Sequence, residues 1–166
     1  YNTVLEACAV GGNVVKAEHW LSEMMKAGLQ ADTNSYNRVI KACATAGNVS
    51  KAEHWLSEMM KAGVKANATS YKTVLKACVA ARNAAKADHW LSEMMKAGIR
   101  VGASSYDTVI KVFLQHGVVL KTARLANVVK SEHWCSEMMK AGHLPRVASR
   151  AIIPTTVTRG FEPNPS

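Results

Sequence analysis

The chain has 166 residues, 48% of them hydrophobic and 20% charged, and a formal net charge of +9. This composition suits a folded domain and excludes a disordered polar tract. No run of about 20 apolar residues exists to span a membrane as a helix.

The basic charge is uneven. Residues 1–32 hold two lysines against four carboxylates, and the cationic excess begins only after them. A basic surface points to a polyanionic partner, nucleic acid or an acidic membrane surface, or simply to lysines that solubilise the chain.

A tyrosine returns every thirty-five residues, at Tyr1, Tyr36, Tyr71 and Tyr106. The string KAEHWLSEMMKAG fills residues 16–28 and 51–63, KADHWLSEMMKAG fills 86–98, and KSEHWCSEMMKAG fills 130–142. A fixed period of this size marks stacked supersecondary units rather than one globular core. The fold class expected is all-α, a right-handed α-solenoid of about four helix-turn-helix repeats.

Residues 1–32 form a first repeat that opens partway in, on Tyr1 and without an initiator methionine. That is the look of a fragment, so a missing targeting segment says nothing about localisation. Residues 33–67 form the second repeat. Tyr36, Val39, Ile40, Cys43 and Ala44 make one apolar stripe at helical spacing, with Ser35 expected to cap its start and Gly47 to end it. A second helix follows, with Val49, Ala52, Leu56, Met59 and Met60 as its stripe. Asn48 is its expected N-cap, Ser50 and Glu53 have the spacing of a capping box, and Lys61 and Gly63 close it.

Residues 68–102 repeat this plan. Residues 103–146 are a fourth repeat, with nine extra residues near 118–126 between Tyr106 and Trp134. A continuous helix lengthened by nine residues turns by roughly half a turn beyond two full ones. A longer loop or an offset helical turn with local loss of register is therefore expected. Residues 147–166 are a degenerate tail.

Neither helix of a repeat can bury its stripe alone, so neighbours must stack. Trp20, Trp55, Trp90 and Trp134 share one position and are expected in inter-repeat packing rather than under nucleobases. The methionine pairs, Met24 with Met25 and their equivalents, read as core filler. Cys8, Cys43, Cys78 and Cys135 read as small core residues, because neighbouring helices lie roughly 8–10 Å apart, too far for a disulfide. His19, His54, His89 and His133 precede each Trp and stand a repeat apart, which makes them poor metal ligands. No metal site and no cofactor are expected.

The segment 35–67, SYNRVIKACATAGNVSKAEHWLSEMMKAGVKAN, resembles a pentatricopeptide repeat of the P type. The markers are the thirty-five-residue length, the S-Y-N opening, the A-G between helices and the E-M-M-K-A-G-V-K ending before Asn67. The tetratricopeptide relatives have thirty-four residues and place their Trp in the first helix, a poorer match. The resemblance runs over about residues 1–146.

The resemblance implies sequence-selective binding of single-stranded RNA, one base per repeat. It further implies a role in RNA processing, stability or expression in a mitochondrion or chloroplast, with other RNA-processing proteins as further partners and no membrane. The family's readers are the residue after the first-helix Tyr and the last residue of the repeat. Carried over, the first repeat offers Asn2 and Asp32, a pairing associated with uracil. The second offers Asn37 and Asn67, associated with cytosine or a pyrimidine. Asn34, Thr69 and Ser104, just before each Tyr, would sandwich the base.

Lys72 with Gly102, and Asp107 with Arg146, depart from the family's pairings. Lys72 is then suited to a phosphate, as are Arg38, Lys41, Lys76 and Lys111, which position a strand without reading it. The alternative is a protein-interaction scaffold, which salt dependence would separate from RNA binding. No deaminase signature of the H-x-E…P-C-x-x-C type and no acidic metal cluster is visible, so no catalysis is expected.

Overall fold

The computed structural model describes residues 1–119 and 124–144, and the side chains of 1–114 and 128–144. Arg146, the tail 147–166 and the middle of the insertion lie outside the described residues. Eight helices and no strand occur among the described residues. They are α1 (Asn2–Gly11), α2 (Val14–Lys26), α3 (Thr33–Thr45), α4 (Val49–Lys61), α5 (Ala68–Ala80), α6 (Ala84–Lys96), α7 (Ala103–Val119) and α8 (Arg124–Lys140). The expected all-α helical-repeat fold is the one observed. No described helix is long and apolar enough to cross a membrane.

The chain divides into two compact units, Tyr1–Val101 and the part from Gly102 onward. In the first unit, α1 packs on α2, α3 on α4, and α5 on α6, while first helices stack on one another, α1 on α3 and α3 on α5. The second unit is the hairpin of α7 and α8.

Within the first unit the core repeats as the sequence does. Leu5, Ile40 and Leu75 occupy one position, Leu21, Leu56 and Leu91 another, and all six are at most 1% exposed. Each such burial contributes roughly 1.5–3 kcal/mol. Tyr36 lies 6.3 Å from Trp55 and Tyr71 lies 6.2 Å from Trp90, centroid to centroid. The tryptophans also tie successive repeats. Trp55 Nε1 donates to Glu18 Oε1 at 2.9 Å, and Trp90 Nε1 donates to Glu53 Oε1 at 2.7 Å. Lys51 closes on Glu18 at 2.7 Å, and Lys86 likewise pairs with Glu53.

The methionine pairs divide rather than filling the core together. Met24, Met59, Met94 and Met138 are buried, but Met25, Met60 and Met95 are 38–43% exposed. Adjacent residues on a helix are about 100° apart, and the apolar stripe is too narrow to hold both.

The helix ends show where spacing misleads. Asn48 caps α4, accepting from Lys51 N at 3.1 Å, and Gly63 ends that hairpin at φ 73°, a left-handed turn without Cβ strain. Ser35 does not cap α3. Asp32 does, accepting from Ser35 N at 2.8 Å. The Ser50–Glu53 box does not form, because Asn48 already takes the α4 cap and Glu53 reaches across to Lys86 and Trp90. A box forms instead at the start of α5, between Asn67 and Ser70.

The nine extra residues of the fourth repeat cause no loss of register. Both α7 and α8 have 17 residues, against 13 in each helix of the second and third repeats. Each helix gains four residues, about one turn, at the end where the hairpin reverses. The faces below are undisturbed. Tyr106 and Trp134 remain 6.2 Å apart, and both are buried.

Candidate nucleic-acid interface

The candidate readers gather at the N-terminal ends of the first helices. Helix starts leave four backbone N–H groups without partners, so Asp and Asn collect there as caps. The last residue of one repeat is therefore also the N-cap of the next. Asp32 caps α3, and Asn67 caps α5.

Helix stacking in the first unit brings the residues after Tyr1 and Tyr36 to equivalent places. Asn37 Nδ2 lies 3.4 Å from Asn67 Oδ1, and Asn37 Oδ1 accepts from Ser70 Oγ at 2.6 Å. One repeat earlier, Ser35 Oγ lies 2.6 Å from Asp32 Oδ1 and 3.3 Å from Asn2 Oδ1. These two pairs are thus drawn together, and a buried serine of the following repeat sits between the members of each. Sequence reasoning missed Ser35 and Ser70 in this place. Their only signal is their position three residues after the cap.

The hydrogen-bond polarity of the two pairs differs. Asn67 Oδ1 accepts from Thr69 N, Ser70 N and Ser70 Oγ at 3.0–3.2 Å, which uses its acceptor capacity and leaves its Nδ2 as a donor. Asn37 has likewise spent its oxygen on Ser70. With one Asn37 N–H turned to Asn67 Oδ1, the second pair keeps the other Asn37 N–H and the Asn67 Nδ2 as donors. The first pair offers a carboxylate. Asp32 uses Oδ1 on Ser35, and hydrogen bonds from the Ser35 hydroxyl and amide hold its pKa below the ordinary value, so it stays ionised and acceptor-only.

The third pair has lost this form. Gly102 supplies no side chain, and Ser105 Oγ is buried without a hydrogen-bond partner. Ser105 N instead donates to the Gly102 carbonyl at 2.9 Å. Lys72 is half-buried, and Asp107 is half-buried in the second unit. The Cys135 thiol is pushed up to about 11 by burial, with the charges of Asp107 and Glu132 adding to the effect. The residues before the tyrosines, Asn34, Thr69 and Ser104, are all exposed.

The cations fall into two sets. Arg38 Nε lies 3.1 Å from Glu6 Oε2 and Lys41 Nζ lies 2.8 Å from Glu6 Oε1, so one carboxylate engages both. Glu6 holds the place in its repeat that Lys41, Lys76 and Lys111 hold in theirs. Lys76 and Lys111 are exposed. From the second repeat onward this position carries lysine and no carboxylate.

These features define a class: a helical-hairpin repeat array with a row of polar side chains at its first-helix N-termini. The profile of the PPR repeat family matches residues 31–80, and that of the PPR repeat matches residues 1–29 and 69–99. The chain belongs to the pentatricopeptide repeat family.

No curated protein sequence matches the chain. Among solved structures, the PPR domain of Arabidopsis thaliana protein-only RNase P 1 in complex with tRNA is 18% identical, with a TM-score of 0.72 over 95% of this chain and 79% of that one. Maize PPR10 is 21% identical, with a TM-score of 0.76 over 96% of this chain and 22% of that one. PPR10 in complex with an 18-nt psaJ RNA element gives 22% identity and a TM-score of 0.70 over 92% and 21%. The chain thus spans about a fifth of the maize protein. At these identities the likeness is one of fold.

Proposed function

We propose that this chain binds single-stranded RNA, one base per repeat, as part of an organellar factor for RNA processing, stability or expression. The observation that carries the reading is the contrast between the two intact pairs. Uracil presents an N3–H donor on its Watson–Crick edge, which suits the free oxygen of Asp32. Cytosine presents N3 and O2 acceptors, which suit the N–H groups of Asn37 and Asn67. RNA modules read splayed bases on such edges. Asn34, Thr69 and Ser104 flank the base, while Lys72, Lys76 and Lys111 meet phosphates.

Support also comes from the relatives, since the maize protein was solved with an 18-nt RNA element and the Arabidopsis domain with tRNA. The test is selection from a randomised RNA pool followed by salt titration. Enrichment of a short motif with adjacent uridine and cytidine is expected, with affinity falling steeply as salt rises. Failure to enrich RNA over single-stranded DNA would end the reading.

A protein-scaffold reading draws on one observation, the exposed column of Met25, Met60 and Met95. A partner held there by apolar contact would bind with little salt dependence.

A further inference from the structure

We infer that the buried serine before each first-helix tyrosine sets the polarity of the preceding repeat's reader, and that the cap residue decides how. This rests on the RNA-binding reading above. A hydroxyl has one proton to give. Ser35 and Ser70 each stand between two oxygen acceptors, a cap and a reader, and the short contact changes sides. Ser35 Oγ is 2.6 Å from the cap Asp32 and 3.3 Å from the reader Asn2. Ser70 Oγ is 3.2 Å from the cap Asn67 and 2.6 Å from the reader Asn37.

The physical cause is the charge at the cap. An ionised carboxylate is the stronger acceptor and takes the proton of Ser35. A neutral amide does not compete as well, and the backbone N–H of Asn67 donates into Ser70 Oγ at 3.1 Å, which leaves the Ser70 proton for Asn37. Both serines are fully buried, so water does not share in the choice.

Asn37 is thereby held with its oxygen toward Ser70, one N–H spans 3.4 Å to Asn67 Oδ1, and the other N–H remains as its donor. Asn2 has only the longer 3.3 Å contact with Ser35, so its carboxamide is held less firmly than that of Asn37. The second repeat reads with a fixed reader, whereas the first leaves base choice to Asp32 alone. Ser105, beside Gly102, has no cap side chain to divide its proton with and stands unpartnered.

The test compares Ser70→Ala and Ser35→Ala in the full chain, against RNAs carrying each of the four bases at the two positions selected by the unaltered protein. Ser70→Ala is expected to reduce the preference for cytidine over uridine by about 5- to 10-fold, the worth of one hydrogen bond. Ser35→Ala should change the uridine preference by less than Ser70→Ala changes the cytidine preference. Equal weakening toward all four bases by Ser70→Ala, or an unchanged cytidine preference, overturns the inference.

A second arm needs no RNA. The side-chain amide of Asn37 should be rigid by NMR relaxation, unlike that of Asn2, and should become mobile in Ser70→Ala. Equal mobility of Asn2 and Asn37 in the unaltered protein contradicts the serine's role. Failure of the unaltered protein to bind RNA, with this amide contrast intact, would overturn the RNA-binding reading and not the lock.

Discussion

Trp90 donates its indole N–H to Glu53 Oε1 at 2.7 Å, joining the third repeat to the second. Lys86 meets the other oxygen of the same carboxylate. A polar clasp thus lies over the apolar contact between successive hairpins, and Glu18 with Trp55 and Lys51 repeats it one unit earlier. The tryptophan position serves stacking of repeats.

Replacing Glu53 by Ala strands a buried indole donor, and loss of such a partner costs about 1–3 kcal/mol. Chemical denaturation of Glu53→Ala should show this loss, while Glu53→Gln, which keeps an acceptor for Trp90, should lose less. Glu23, whose 2.8 Å pair with Lys26 is an exposed one within a single helix, should change stability little when replaced by Ala.

Acid should weaken the fold in a definite window. Burial tends to raise the pKa of Glu18, but hydrogen bonds from Lys51 and Trp55 outweigh it and hold the group below its ordinary value. Asp32 is held low by the Ser35 hydroxyl and amide. A carboxylate with a lowered folded pKa contributes stability that is complete above its unfolded value and lost as pH falls through the folded one. Stability should therefore be flat near neutrality and fall below the ordinary carboxylate range. Asp32→Asn, which cannot titrate, should shallow that acid limb in a pH series of denaturation curves.

Much of this was legible in the sequence. Tyr36 and Trp55 gave the hairpin, and Asn48 and Gly63 its ends. Where the reading slipped, two residues of similar chemistry competed. Asp32 and Ser35 both favour helix starts, and only packing shows that Asp32 is the cap and Ser35 its partner. The ion pairs of Arg38 and Lys41 with Glu6 span more than thirty residues, and local pattern carries no trace of them. They become visible only on noticing that Glu6 stands where later repeats carry lysine. The insertion kept its register because its residues extended both helices together, which a reading along one continuous helix misses.

Arg82 is the one non-glycine with positive φ among the described residues, at 52°, in the place that Gly12 and Gly47 take in earlier repeats. A side chain there costs roughly 1–2 kcal/mol, partly offset by the entropy that glycine loses on folding. Arg82→Gly should stabilise the protein by about 0.5–1 kcal/mol, measured by thermal or urea unfolding.

Glu6→Gln should release Arg38 and Lys41 toward the strand, raising RNA affinity and steepening its salt dependence. Lys76→Ala should weaken all sequences alike and reduce the salt slope by about one. Fluorescence anisotropy across a salt series checks both. An unchanged affinity in Glu6→Gln would mean that the two cations lie away from the phosphates.

The most direct measurement is equilibrium binding of the full chain to short single-stranded RNAs that differ only at two adjacent nucleotides, beside the matching DNAs. Tightest binding to the RNA with uridine facing Asn2 and Asp32 and cytidine facing Asn37 and Asn67 is predicted, in one of the two strand orders. Asp32→Asn should shift the first preference toward cytidine. Equal binding to all sequences, or to DNA as well as RNA, would contradict the account.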